Sequence, residues 1–276
     1  IVIEDQVIEL EPVDVKRLEP LSEELTDIST TVWSFPKRGA WASHRGDYRG
    51  NWPPQIPRAL MLMYTKPGDL VLDPMVGSGT TLIEAKLLGR RSIGVDINYE
   101  AVILTLHRLY WLEQYIKKLR ELAGREPGCA LTVNGVSLED VEKAEYRVYH
   151  GDARELDAIP DKSVDLIATH PPYFNIIEYG SREGVERDLS RAKSLEEYLE
   201  WIREVARECY RVLKPGKYYA VLVGDTRIHK HYVPISHYVL EAFLDQGFAL
   251  KEEVIKIQHK MKTTREVWGK LKDLDF

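Results

Sequence analysis

The pentapeptide "THPPY" (169–173) closes a hydrophobic run, "DKSVDLIA", with an imidazole, two prolines and a phenol. Proline donates no ladder hydrogen bond and restricts the residue before it. Pro171 and Pro172 could therefore simply end a strand, with Tyr173 an ordinary half-buried aromatic. A second stretch, "LDPMVGSGTT" (72–81), lies between a strand-like and a helix-like run. There Gly77 and Gly79 permit a tight turn and close approach of a ligand to the backbone, where free N–H groups open the next helix. Acids stand at three successive strand ends: Asp73, Asp96 about twenty residues on, and Asp152 in "YHGDARE".

Two cofactor classes fit such a frame. A dinucleotide needs a third glycine over its pyrophosphate, and here that register holds Leu82, with Asp73 in front of the turn. A carboxylate there repels a pyrophosphate but suits a cationic amino-acid end. S-adenosylmethionine carries an ammonium group, a ribose diol and an adenine. Asp73 could engage the first directly or through water, Asp96 the ribose hydroxyls, and Asp152 the adenine amino group.

The elements that position these residues follow from hydrophobic period. "QIPRALMLMYTK" (55–66) has helical spacing and stops at Pro67-Gly68. Strand patterns at 69–75, 91–97, 146–152, 163–170 and 217–225 alternate with helical patterns at 79–89, 99–124, 195–213 and 234–247. Residues 249–260 read as a sixth strand, and 125–144 as a polar insertion without assigned structure. The alternation implies an α/β fold built on a doubly wound, mostly parallel sheet, with its ligand at the carboxyl ends of the strands. The acidic, weakly periodic residues 1–32 read as a small N-terminal extension, and 33–276 as one domain.

With 276 residues, 44% hydrophobic and 30% charged, the composition is that of a soluble globular chain. Its longest apolar runs, such as "LMLMY" and "AVILTL", are too short to span a bilayer. The N-terminus carries acids where a secretory signal would carry bases, and it lacks an initiator Met, as an excerpt would. Cys129 and Cys209 have no zinc or redox spacing, so no metal is expected and a reducing cytoplasm is the natural compartment. His44, His229 and His231 likewise form no ligand pattern. A net charge of −6 means that any nucleic-acid surface must be local. "SFPKRGAWASHRGDYRGNW" (34–52) offers one, with Lys37, Arg38, Arg45 and Arg49 interleaved with Phe35, Trp41, Tyr48 and Trp52. Cations for phosphates and aromatics for bases suit unpaired nucleic acid; the alternative is a loop packed by its own aromatics.

"DPMVGSGTT" together with "HPPY" resembles the paired signatures of class I methyltransferases that modify exocyclic amino groups of bases, and "NWPPQIPRALMLMYTKPGD" is similar to that family's stretch before the glycine loop. The resemblance covers roughly residues 50–260. It implies a Rossmann-like methyltransferase fold and S-adenosylmethionine as cofactor. Met75, Ser78, Thr80, Thr81, Ile97 and Ala153 would join the glycines and acids in holding it. It also implies that His170 and the Pro171 carbonyl accept hydrogen bonds from the target amine, that Pro172 stiffens the motif, and that Tyr173 stacks on a base taken out of its helix. An aromatic amine is a poor nucleophile because its lone pair is delocalised. Two acceptors bend it toward a tetrahedral nitrogen facing the sulfonium methyl. His170 departs from the family's Asp, Asn or Ser, so the resemblance implies activity that falls in acid near the imidazole pKa. Asn175, Glu178 and Tyr179 would line the same pocket, and Asp225 could join them or merely cap a strand.

The DNA enzymes of this chemistry usually carry a large target-recognition domain. Here only short insertions occur, at 125–144 and 175–194, and the chain ends at "LKDLDF", short of the family's seventh strand. A folded RNA asks for less protein than a duplex groove. The chain is also similar to archaeal proteins with "THPPY" and "VWSFPxRG" segments, some taken as ribosomal RNA cytidine N4-methyltransferases. Cytidine N4 in structured, ribosomal RNA is therefore the expected target. DNA cytosine-N4 or adenine-N6 and a protein glutamine amide are the alternatives, with a non-catalytic cofactor-binding module more remote.

Overall fold

The computed structural model describes residues 1–3, 6–25, 28–123, 132–174, 186–228 and 231–259. In chain order its main elements are α1 (Gln55–Tyr64), β1 (Leu70–Asp73), α2 (Thr80–Leu87), β2 (Arg91–Asp96), α3 (Tyr99–Ala123), β3 (Tyr146–His150), β4 (Val164–Thr169), α4 (Leu195–Val212), β5 (Leu213–Val221) and α5 (Ile235–Leu244). The five strands form one parallel sheet in the order β5-β4-β1-β2-β3. The chain therefore runs outward in both directions from the β1–β4 pair. In open α/β sheets a ligand crevice forms outside the strand ends at such a switch point.

Burial on both faces explains the unbroken apolar character of the central strands. Val71 of β1 joins Leu166 and Ala168 of β4 against Ile56, Ala59 and Met61 of α1. Leu72 and Ile167 point the other way, onto Val205, Cys209 and Val212 of α4. Helix α4 buries Tyr198, Ile202, Val205, Ala206, Cys209 and Val212 along one stripe, and its Ser194 cap accepts from the Glu197 N–H. At the end of the sheet away from the crevice, buried Asp165 accepts from the Leu70 N–H at 3.0 Å and from Lys214 at 2.8 Å, tying β4 to both neighbours.

Two regions depart from the sequence reading. Of the expected sixth strand, the described residues 249–259 do not extend the central sheet. Only Ile255–Ile257 is a strand, and it pairs in parallel with Val32–Ser34 in a separate two-stranded ribbon. The alternation supplies strand propensity, but Ile255 and Ile257 stay exposed, without the two-sided cover that the central strands have. The polar insertion contains a hairpin, Thr132–Val133 with Val136–Ser137, turning on Asn134-Gly135 at positive φ, followed by a short helix, Leu138–Lys143. The N-terminal residues pack on the helices. Ile3 and Ile8 bury against Leu104 of α3, and Val13, Val15 and Leu18 join Trp41, Leu109, Leu112 and Ile116 in one cluster. Among the described residues no helix is long and apolar enough to cross a membrane. Cys129, Asn175, Glu178, Tyr179, His229 and the terminal "LKDLDF" lie outside the described residues.

Candidate active site

Strand β1 delivers its chain to the glycine loop at Asp73. Gly77 and Gly79 have φ of +53° and +82°, the left-handed region that a side chain disfavours. Space forbids one as well: a Cβ on Gly79 would stand 2.9 Å from Thr105 Cγ2, and one on Gly77 would stand 3.1 Å from the Tyr48 ring. Helix α3 grips the loop from outside, with the Thr105 hydroxyl donating to the Gly77 carbonyl at 2.9 Å and Arg108 to that of Ser78 at 3.0 Å.

Two of the strand-end acids hang the loop in place. Asp73 accepts from the hydroxyls of Thr81 (2.5 Å) and Thr169 (2.9 Å) and from the Met75 N–H (3.2 Å). Asp96 accepts from the N–H groups of Gly77 (2.8 Å) and Asn98 (2.9 Å). Burial pushes each carboxyl up to about 7 against these hydrogen bonds, and the Asp188 charge adds to the rise at Asp96. Asp152 is held by a fork from Arg154, Nε at 2.8 Å and Nη2 at 2.7 Å, with Arg187 at 3.7 Å.

These groups line one cleft of about 790 Å³, its open mouth included. Met75, Gly77, Ser78, Thr80, Ile97 and Ala153 line it with Asp73, Asp96 and Asp152. Thr81 stands behind the wall as the Asp73 donor, and Gly79 supports the loop against α3. Sequence reasoning missed Tyr48, Asn51 and Asp188, which also line the cleft. Buried Asp188 accepts from the N–H and hydroxyl of Ser190 at 2.8 and 2.6 Å. It follows a polar stretch without a motif. Tyr48 and Asn51 sat within the aromatic-basic segment, with nothing local to separate them from its exposed members.

The end of β4 opens into the same cleft, which His170 and Pro172 line. His170 Nε2 meets the Tyr173 hydroxyl at 2.6 Å, while Nδ1 is buried without a hydrogen-bond partner among the described residues. Burial pushes the imidazole down to about 4, a Gly50 backbone contact opposing the fall, so the ring is neutral at ordinary pH. The acid loss expected near the ordinary imidazole value is thereby displaced to lower pH. Trp52 stacks on His170 with centroids 6.0 Å apart, and the Tyr173 ring stands edge-on to it at 5.2 Å. Burial raises Tyr173 to about 12. The Pro172 carbonyl accepts from Tyr198 at 3.0 Å.

The aromatic-basic loop is largely an interior structure, which corrects the expectation of a nucleic-acid surface there. Trp41 is 0% exposed; its indole N–H donates to Glu84 of α2 at 2.7 Å, and His44 Nε2 meets the same oxygen at 2.7 Å. Phe35 and Trp52 are buried too. Arg38 turns inward to the carbonyls of Asn51 and Trp52, and burial pushes it down to about 10. Lys37 and Arg49 remain exposed and Arg45 half-buried, its Nη2 at 3.5 Å from the Pro12 carbonyl. The anchored ends suspend Tyr48 to Trp52 as a roof, with Asn51 accepting from the Thr80 hydroxyl at 2.6 Å. That roof spans the glycine loop and His170.

The donor set fits S-adenosylmethionine on three counts. Gly77 leaves backbone bare in the cleft, where a Cβ would stand 3.1 Å from the Tyr48 ring. Buried carboxyls held near 7 suit a cationic ligand end. The Ser78 hydroxyl, buried in the cleft wall without a partner among the described residues, is a ready donor to a ligand carboxylate.

Comparison with known proteins agrees. The chain is 33% identical to the DNA adenine methyltransferase YhdJ of Escherichia coli over 121 residues, covering 42% of this chain and 40% of that protein. It is 27% identical to the tRNA (guanine(10)-N2)-dimethyltransferase of Methanothermobacter thermautotrophicus over 217 residues, 78% of this chain and 48% of that one. The chain thus spans less than half the length of these relatives. A solved S-adenosylmethionine-dependent methyltransferase from Methanosarcina mazei superposes with a TM-score of only 0.34 at 24% identity, over 58% of this chain and 55% of its own, and carries no weight here. A family model described as DNA methylase matches residues 3–106 and 164–268, both glycine loop and "THPPY" included. With S-adenosylmethionine as its cofactor, the chain belongs to the DNA methylase family.

Proposed function

We propose that the chain methylates the exocyclic amino group of a nucleic-acid base, cytidine N4 in structured ribosomal RNA. The observation that carries this reading is His170, which lines the cleft that also holds the glycine loop and whose Nδ1 has no hydrogen-bond partner among the described residues. With Nε2–H donating to the Tyr173 oxygen, Nδ1 presents a lone pair to an N–H of the target amine. The Pro171 carbonyl takes the second N–H, and the amine nitrogen is turned toward the methyl group. Tyr173 walls the base, and Asp73, Asp96 and Asp152 hold the cofactor with the loop residues. When bound by these residues, S-adenosylmethionine would supply the electrophilic methyl group that the amine accepts, and the amine proton would pass to water. Residues 1–32 act as an extension clasped to a transferase domain at 33–276, in the cytoplasm.

A relative that acts on tRNA and aligns with 78% of the chain supports an RNA substrate. The similarity to DNA adenine and type II methyltransferases favours a second reading, a duplex DNA base. Labelled methyl transfer to ribosomal subunits and to duplex DNA, followed by nucleoside mass spectrometry, separates them. Label in N4-methylcytidine of ribosomal RNA is the expected result. Label in DNA alone would replace the first reading with the second, and none in either would overturn both.

A further inference from the structure

Strand β5 leaves the sheet beside β4 and runs into a hairpin, Thr226–Ile228 with His231–Val233. We infer that the outward face of this hairpin, Arg227 with Tyr232, is a docking surface for the unpaired nucleotides that flank the target base. The inference rests on the nucleic-acid reading above and deepens it.

Register fixes which face is outward. Thr226 pairs with Val233, Arg227 with Tyr232, and Ile228 with His231. Residues directly opposite share a face. Ile228 and Val233 pack inward, on the cluster that contains Phe174 and Ile235. Arg227 and Tyr232 therefore share the other face, where Arg227 is exposed and Tyr232 is 58% exposed. Phe174 directly follows Tyr173, and a Cβ on Gly224, two residues before the hairpin, would stand 3.3 Å from the Tyr173 ring. The hairpin is thus rooted beside Tyr173, the ring that walls the base in the reading above.

The exposed ring is also held still. The Tyr232 hydroxyl donates to Asp225, whose other oxygen accepts from the Ser236 N–H at 2.8 Å and hydroxyl at 2.7 Å. Asp225 thus ties the hairpin base to the start of α5, and its carboxylate is turned to anchoring rather than to the cleft. A large aromatic fixed at the hydroxyl end, with its faces in water, has no folding purpose that burial would serve. It costs little conformational entropy when a base stacks on it. The outward pair sets the Arg227 cation opposite the Tyr232 ring, in a chain of net charge −6. A guanidinium beside a stacking ring suits a single-stranded segment, phosphate to the cation and base to the ring, better than a duplex groove.

The test compares wild type, Tyr232→Ala, Tyr232→Phe and Arg227→Ala for binding of a fluorescent single-stranded RNA 12-mer, a duplex DNA of equal length, and S-adenosylmethionine. Loss of one stacked base is expected to weaken RNA binding roughly 5- to 150-fold in Tyr232→Ala. Tyr232→Phe keeps the ring and should fall between the two. Arg227→Ala should weaken binding and flatten its salt dependence, and cofactor affinity should stay unchanged in all. Variants that bind RNA like wild type, while wild type binds and methylates it, would overturn the docking surface and leave the activity standing. A wild type that binds neither polymer would overturn both.

Discussion

His170 is kept neutral by its surroundings. Burial holds it down at about 4, so its acceptor lone pair survives well below the ordinary imidazole range. At saturating cofactor, the turnover rate should stay level from pH 8 to about 5 and fall only as pH approaches 4. A fall centred near 6.5 would remove His170 from the role assigned to it. His170→Ala should lower kcat by about 10²–10³, the usual loss for one oriented polar contact at a reacting centre. His170→Asn, which restores an acceptor oxygen, should retain more. Asp73 and Asp96 act in the other direction, through affinity. Their folded values near 7 lie above the unfolded carboxylate value, so the ligand-free fold loses stability as pH rises through that window. A cationic ligand favours the ionised carboxylates. Cofactor Kd should therefore tighten as pH rises from 6 to 8, by up to roughly tenfold per pH unit for one linked proton. Calorimetry in buffers of different ionisation heat should register proton release near pH 6, and a pH-independent Kd would contradict the linkage.

At the scale of elements, one carboxylate on α2 positions the roof. Glu84 is fully buried and accepts from Trp41 and His44 while facing Arg58 at 3.3 Å. Glu84→Ala would strand a buried cation and two polar hydrogens, at a cost of about 3–5 kcal/mol. Thermal unfolding should show that loss directly. At temperatures where the variant is folded, cofactor affinity should fall as well, because Tyr48 and Asn51 hang from the same loop. An unchanged melting temperature would show that the network contributes nothing. The same network explains what was legible in the chain and what was not. The central strands and their helices could be read because two-faced burial and a 3.6-residue period are local signals. Gly77 and Gly79 could be read because positive φ leaves few other choices. Trp41 and Arg38 could not, because an indole bound for a carboxylate 43 residues away looks in sequence like one bound for a base. Asp152 was correctly placed at its strand end, but Arg154, which occupies it, signals no pairing in advance. The ribbon at Ile255–Ile257 shows the converse failure, where alternation was present and the second covering layer was not.

For the whole molecule, the N-terminal residues contribute side chains to the core. Val13, Val15 and Leu18 cover the outer face of α3 at Leu109, Leu112 and Ile116, and the same cluster contains Trp41 and the α2 residues Leu82, Ile83 and Leu87. Backbone bonds fasten the contact: the Ala42 N–H donates to the Arg17 carbonyl at 2.8 Å, and the Tyr115 hydroxyl to that of Lys16 at 3.0 Å. Each buried aliphatic side chain contributes roughly 1.5–3 kcal/mol. The five at Ile3, Ile8, Val13, Val15 and Leu18 together are therefore comparable to the ~5–15 kcal/mol that holds a whole domain folded. Deleting residues 1–18 should consequently leave a protein that unfolds well below the full chain or aggregates on expression. The milder Val15→Ala should lower the melting temperature by only a few degrees and leave the cleft intact. The pair distinguishes a core segment from a tether. A truncated chain that melts with the full-length protein and binds cofactor equally well would mean that α3 keeps its outer face covered by other means, and that the clasp has no bearing on the glycine loop it lies behind.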